Sequence, residues 1–289
     1  MDSLVNAFHI FEEAQQKLSA GYDEQESGAL TRWLMEDLLL IRKTDIALRT
    51  SFSPDPKKFD LFETALQRVR AGEPIQYVLG YTEFLGLRFH VAPGVLIPRP
   101  ETEELVVKVS EENPKAKTIL DIGTGSGCIA ISLARQLAEA RVIAWDVKEE
   151  ALNIAKENAL QLHAQVQFER VDVLQSWPSV PDEKPDVIVS NPPYIRESEK
   201  KQMRSNVLDH EPEVALFVPE NDPLLFYRHI SEKARRYLSP GGKLYFEINE
   251  GFEPEMVDLL QGLQYEQVEV TQDLQQKPRM LSAVAPSDR

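Results

Sequence analysis

From residue 96 onward the chain alternates between short apolar runs and amphipathic helical repeats, and that alternation restricts the fold more than any other feature. Thr118–Ile122, Arg141–Trp145, Val166–Glu169 and Asp186–Ser190 read as strands. Helical patterns separate the first of them, at Cys128 to about Leu137 and Glu149 to about Leu162. A helix from Pro223 to Tyr237, the turn Pro240-Gly241-Gly242 and a strand Lys243–Ile248 continue the pattern. After one further helix, two strands near 265–271 and 279–284 close the chain. Strands that alternate with helices predict an α/β fold, a mostly parallel sheet with helices on both faces. The last two strands have too short a connection for a helical crossover, so they predict a hairpin. The expectation is a seven-stranded sheet with one antiparallel strand.

The first 73 residues follow a different pattern. Leu4, Phe8, Phe11, Ala14 and Leu18 recur at helical spacing behind Ser3 as the expected cap, and Gly21 ends the run. Leu30, Trp33, Leu34, Leu38 and Ile41 mark a second helix, and Thr44 is the expected cap of a short third. The turn Ser53-Pro54-Asp55-Pro56 introduces a helix with Phe59, Phe62, Leu66 and Val69, closed by Gly72. Residues 1–73 therefore predict a small helical bundle. In residues 74–95, Tyr77–Gly80 and Leu87–Val91 predict a β-hairpin linker. Residues 96–289 form the third segment, the large α/β domain.

At 289 residues and 42% hydrophobic, the chain can bury a sizeable core. Its net charge of −15 argues against a nucleic-acid partner, which calls for a basic face. The single cysteine, Cys128, leaves no internal disulfide and no cysteine-based metal site. His9, His90, His163, His210 and His229 show no metal-ligand spacing, and no metal is expected. Met1-Asp2-Ser3 lacks a basic leader, and no apolar run is long enough to span a bilayer. A cytoplasmic protein with no membrane partner is expected.

Between the first strand and its helix lies Asp121-Ile122-Gly123-Thr124-Gly125-Ser126-Gly127. Its glycines remove side chains where a ligand approaches the backbone, and the helix start offers N–H groups and a positive dipole end. The G-x-G-x-G spacing departs from the G-x-G-x-x-G of dinucleotide sites, which weakens a nicotinamide or flavin reading. Asp146 ends the next strand, where a carboxylate can accept from both hydroxyls of a ribose. Asp172 and Val173 follow the third strand, an acceptor for an exocyclic amine and a side chain to pack on a ring. Asp121 is positioned to meet an ammonium. Together these groups fit S-adenosylmethionine.

Asn191-Pro192-Pro193-Tyr194 follows the fourth strand. An amide oxygen on Asn191 and the carbonyl of Pro192, a residue with no N–H, offer two acceptors. The prolines hold Asn191 and Pro192 out of helix, and Tyr194 adds a flat aromatic face. This is a cradle for a planar group bearing an NH2. Asn191, Pro192 and Tyr194 are the expected catalytic residues, and Asn191 through Tyr194 the expected substrate site. At this point the acceptor is open between an amide and an adenine amine.

These residues resemble class I methyltransferases with an N-P-P-Y motif, and further segments narrow the likeness. Gly72-Glu73-Pro74-Ile75-Gln76-Tyr77, Glu83-Phe84, Ile97-Pro98-Arg99-Pro100-Glu101-Thr102-Glu103, Glu211-Pro212 with Ala215-Leu216, and Asp273-Leu274 with Arg279 are similar to the signatures of the HemK/PrmC family. That family methylates the side-chain amide of the glutamine in the Gly-Gly-Gln motif of class 1 peptide chain release factors. The resemblance implies that Gly123 to Gly127, Asp146, Val173 and Asn191 contact S-adenosylmethionine. It also implies that Asn191 to Tyr194 hold the glutamine amide and that the helical segment helps dock the release factor. Where the family usually has a glycine after the terminal Asp-Leu, this chain has Gln275-Gln276. Arg99 and Glu101 are expected to lie on a loop that borders the substrate slot. The competing readings are an adenine amino methyltransferase, which calls for a basic groove, and a methyltransferase-like scaffold without activity.

Overall fold

The computed structural model describes residues 4–180 and 183–286. The chain divides into two compact units, one running through Gly80 and taking in Arg204–His210, the other holding Tyr81–Met203 and Glu211 onward. The first unit thus runs past residue 73 to Gly80, and the hairpin that follows groups with the second unit.

The first unit is built from α1 (Ala7–Leu18), α2 (Glu24–Leu39), α3 (Lys43–Ala47), α4 (Pro56–Arg70) and α5 (Ile75–Leu79). Ser3 lies outside the described residues. The cap of α1 is Asn6, whose side-chain oxygen accepts from the N–H groups of Phe8 and His9 at 2.9 and 3.4 Å. Thr44 sits inside α3 instead of capping it, because the Asp45 carboxylate takes the N–H of Arg42 at 2.9 Å and starts the helix there. Ala14, Leu18, Leu34, Ile41, Phe62, Leu66 and Val69 lie in the core, as the helical spacing predicts, while Ile10 takes the buried face of α1 in place of Phe8 and Phe11, which are only partly buried, and Leu4 is exposed. Arg204 joins this unit through an ion pair with Glu26 at 2.6 Å.

Tyr77–Gly80 is not a strand. Ile75–Leu79 turns once as α5, burying Ile75 and Tyr77, and Gly80 ends it at φ +80. The hairpin begins one residue later and pairs Tyr81–Phe84 with Leu87–His90 through Leu85-Gly86.

The second unit holds a sheet of seven strands: β1 (Thr118–Ile122), β2 (Arg141–Asp146), β3 (Val166–Arg170), β4 (Val187–Ser190), β5 (Lys243–Glu247), β6 (Glu266–Gln272) and β7 (Pro278–Val284). Their order across the sheet is β6-β7-β5-β4-β1-β2-β3. Strand β7 runs antiparallel to both neighbours, and the other pairings are parallel. Every residue of β1 and β4 is buried, which explains their nearly unbroken apolar runs. Asp186 precedes β4 instead of opening it, and its carboxylate accepts from the N–H groups of Lys117 and Thr118.

Five helices cover this sheet: α6 (Pro100–Glu112), α7 (Cys128–Gln136), α8 (Glu149–Gln161), α9 (Leu225–Tyr237) and α10 (Glu253–Gly262). Leu120 and Ile122 pack with Ile230, Ala234, Met256 and Leu260 of α9 and α10. Ile119 packs with Leu105 and Val109 of α6 and Ile129 and Leu133 of α7. The period-two alternation of β1 thus sends its side chains to opposite layers.

Candidate active site

The register of the parallel strands sets the level of the site. Ile122 pairs with both Trp145 and Ser190, and Ser190 also pairs with Phe246. The residues that follow, Gly123, Asp146, Asn191 and Glu247, therefore come to one edge of the sheet. This is the carboxyl edge, where the strand order reverses between β1 and β4. A cavity opens there, with an empty volume of about 1020 Å³ including its mouth.

Of the residues singled out in the sequence, Gly123, Gly125, Asp146, Asp172, Val173, Asn191, Pro192 and Pro193 line it. Gly123 and Gly125 adopt φ of +75° and +54°, and a Cβ on either would meet no atom within 4 Å. A ligand can therefore approach the bare Cα atoms. Three N–H groups at the start of the loop are used within the protein. Gly123 and Thr124 donate to the Trp145 carbonyl at 2.8 and 2.9 Å, and Gly125 donates to Asp146 Oδ2 at 2.9 Å. The loop folds back on β2 and uses them internally. Asp146 also accepts from Lys148 N–H at 2.9 Å. Burial holds its carboxyl above the ordinary range, and the Lys148 and Gly125 amides oppose that shift. Asp172 takes the Leu174 N–H at 3.0 Å and the Gln175 side-chain amide at 2.9 Å, so its two oxygens are fixed at the cavity wall.

Asp121, Thr124, Ser126, Gly127 and Tyr194 are not among the lining residues. Asp121 alternates with Leu120 and Ile122, so it faces the α6–α7 layer and is fully buried. Its carboxylate accepts from the Thr124 hydroxyl at 2.6 Å, and burial pushes its pKa up to about 7. The expected meeting with an ammonium is thus not made at the cavity surface. Thr124 and Ser126 are 4% and 2% exposed. Gly127 is needed for packing: at φ +84°, a Cβ would stand 2.8 Å from Ile131 Cδ1 and 3.1 Å from Ala155 Cβ. The Cys128 thiol behind it is buried and pushed up to about 12, so it acts as a filler.

Asn191 points its Nδ2 at the Thr102 hydroxyl, 3.1 Å away, which leaves the amide oxygen as the acceptor available to a ligand. Tyr194 packs against the buried core, and its hydroxyl lies 3.1 Å from Glu247 Oε1. The expected face for stacking is therefore not on the cavity wall. Arg99 pairs with the buried Glu211 at 2.7 Å, and Glu211 also accepts from Ile97 N–H at 3.3 Å. That ion pair joins the 94–97 loop to the segment bearing Val214 and Ala215, and both border the cavity.

The lining fits a sulfonium nucleoside of the kind expected. Asp146 and Asp172 are acceptors suited to a ribose diol and an exocyclic amine. Val171, Val173, Phe226 and Ile230 form an apolar wall, and the glycine cradle stays clear of side chains.

Residues 9–80 match the family model "PrmC N-terminal domain" and residues 100–213 match "Methyltransferase small domain". A release factor glutamine methyltransferase of Bacteroides thetaiotaomicron is 49% identical, over 93% of this chain and 96% of that protein. One from Flavobacterium psychrophilum is 43% identical, over 92% and 94%. This chain belongs to the release factor glutamine methyltransferase family. A methyltransferase of Pyrococcus furiosus shares the fold at a TM-score of 0.53 and 19% identity, over 78% of this chain and 99% of that one.

Several residues of this family member's site escape motif reading. Phe226, Ile230, Val214 and Gly94–Leu96 line the cavity with no chemical signature in sequence. Thr102 lies within the Ile97–Glu103 signature, but only contact gives it a partner. Glu247 carried a usable signal, since an acid inside the apolar run Leu244–Ile248 has to find hydrogen-bond donors.

Proposed function

We propose that this chain transfers the methyl group of S-adenosylmethionine to the side-chain amide nitrogen of the glutamine in the Gly-Gly-Gln motif of class 1 peptide chain release factors, giving N5-methylglutamine. The observation that carries this reading is the Asn191 amide, held by its nitrogen with its oxygen left for a ligand, beside Pro192 on the cavity wall.

S-adenosylmethionine supplies an electrophilic methyl group on a sulfonium. Asp146 would accept from its ribose, Asp172 from its adenine amine, and Val173 would pack on the ring. An amide nitrogen is a poor nucleophile because its lone pair is delocalised, so the protein's task is placement. Asn191 Oδ1 and the Pro192 carbonyl can take the two N–H bonds of the glutamine amide. They hold the nitrogen in line and stabilise positive charge developing on it, as an oxyanion hole does for the opposite charge. Orientation of this kind supplies roughly 7–11 kcal/mol in favourable cases. The alkylated nitrogen is strongly acidic, so no dedicated base is required. We further propose that the helical unit helps dock the release factor and that the reaction takes place in the cytoplasm. No helix among the described residues is long and apolar enough to cross a membrane.

Labelled S-adenosylmethionine offered with a release factor, with an adenine-containing duplex, or alone tests the reading. Label is expected on the Gly-Gly-Gln glutamine. Label on the duplex and none on the release factor would overturn it in favour of an adenine amino methyltransferase.

A further inference from the structure

We infer that Thr102 and Glu247 are positioning residues that set which way round the Asn191 amide faces, and so make this site select an N–H donor. The inference rests on the function proposed above. It starts from three side chains that meet from distant parts of the chain: Thr102 in the first turn of α6, Asn191 after β4, and Glu247 at the end of β5.

Hydrogen-bond polarity decides the arrangement. Glu247 accepts from both hydroxyls that reach its carboxyl group, those of Thr102 and Tyr194, and a threonine hydroxyl has one proton to give. Thr102 Oγ1 lies 2.6 Å from Glu247 Oε2, and the two residues are 2% and 1% exposed, so water does not compete. The Thr102 proton therefore points at Glu247. What remains on Thr102 is a lone pair, which can only accept. Asn191 meets it at 3.1 Å with Nδ2 as the donor. The amide oxygen is thereby turned away from Thr102 as the atom left for a substrate N–H. An Asn flipped about its last torsion would offer an NH2 instead, and two donors would then face each other.

Glu247 reaches the far end of the same motif as well, since its Oε1 takes the Tyr194 hydroxyl at 3.1 Å. The main chain that carries the carboxylate is itself held in place. The Tyr227 hydroxyl donates to the Glu247 carbonyl at 3.0 Å, and β5 pairs with β4 up to Phe246 and Ser190. One buried acid thus orients both Asn191 and Tyr194, through Thr102 in the first case and directly in the second. Burial raises the carboxyl's pKa, and the Thr102 and Tyr194 hydroxyls and Arg279 act against that shift.

Isosteric variants separate this role from a structural one. Glu247→Gln can donate to Thr102, which lets the hydroxyl turn to Asn191 Oδ1 and reverses the amide. Thr102→Val removes the acceptor, and Thr102→Ser restores it. With a release factor as substrate, kcat is expected to fall on the order of 100-fold in Glu247→Gln and Thr102→Val. The KM for S-adenosylmethionine should stay within a few-fold, and Thr102→Ser should recover most of the loss. The Asn191 side-chain amide resonance in a 15N–1H spectrum should move in Thr102→Val and stay near its place in Thr102→Ser. Wild-type kcat with an unmoved resonance would overturn the inference. So would a loss of kcat matched by equal losses of cofactor affinity and thermal stability. If the wild-type protein itself fails to methylate the release factor, the proposed function falls, and the resonance still decides the orientation.

Discussion

Two glycines of one loop do different work, and their substitutions should fail in different ways. At Gly127 a methyl group would collide with Ile131 and Ala155 while the backbone sits at φ +84°. Gly127→Ala should cost roughly 2–4 kcal/mol of stability, read as a lower melting temperature. Gly123→Ala meets no neighbour and pays about 1–2 kcal/mol for its positive φ. Its methyl group stands on the cavity wall, so calorimetry should show a loss of S-adenosylmethionine affinity out of proportion to the small loss of stability. Asn191→Ala should remove most turnover, roughly 100-fold or more, while cofactor affinity falls less. Unchanged turnover would take Asn191 out of the mechanism. Asp121 makes the ligand-free protein pH-sensitive. Burial raises its pKa from 3.8 to about 7. Across that window the folded chain keeps a proton that the unfolded chain has released, so stability falls as pH rises and the contribution is gone above the folded value. Asp121→Asn stays neutral throughout. Its stability relative to wild type, read by thermal unfolding, should climb between about pH 4 and pH 7 and level off above, by at most about 4 kcal/mol.

At the scale of elements, one ion pair ties two segments that border the cavity. Arg99 stands just before α6 with Pro100 in its first turn, and its guanidinium meets a Glu211 side chain that is 1% exposed. Arg99→Ala leaves that carboxylate buried with the Ile97 amide as its remaining donor. Because Arg99 is itself about one-third exposed (34%), the cost should be about 1–3 kcal/mol, below the range for fully buried pairs. Methylation should slow with it, since the 94–97 loop borders the cavity. Unchanged methylation of the release factor by Arg99→Ala would separate this loop from the substrate slot. The β6–β7 turn keeps its shape without the family's usual glycine. Asp273 Oδ1 accepts from Gln275 and Lys277 N–H at 2.9 and 3.0 Å, and Gln276 takes φ +66°. Gln276→Gly should raise stability by about 0.5–1 kcal/mol, the relief of that strain less glycine's greater loss of chain entropy, measured by thermal unfolding.

Across the whole molecule, the cavity is lined by residues of the α/β unit alone. The alternation of apolar runs with helical repeats made the sheet legible, down to the antiparallel β7, because burial on both faces of a parallel sheet writes continuous apolar strands. The site was legible where a motif sits at a strand's carboxyl end, as at Gly123, Asp146, Asp172 and Asn191. It was not legible where side-chain direction matters. Asp121 read as a cavity acid and faces the other layer. Tyr194 read as a stacking face and is tethered to Glu247. The Tyr77–Gly80 run read as a strand and is one turn of helix, since a few apolar residues suit either.

The sequence by itself determined the order of elements, the glycine loop, the acids at successive strand ends and the cradle Asn191-Pro192-Pro193-Tyr194. These are local patterns, set by what lies within a few positions along the chain. Only the tertiary structure decided how the cradle is aimed. Thr102 and Glu247 stand 145 residues apart, and Thr102 and Asn191 stand 89 apart. Which of them donates and which accepts depends on strand register and on the exclusion of water, and neither is written in local spacing.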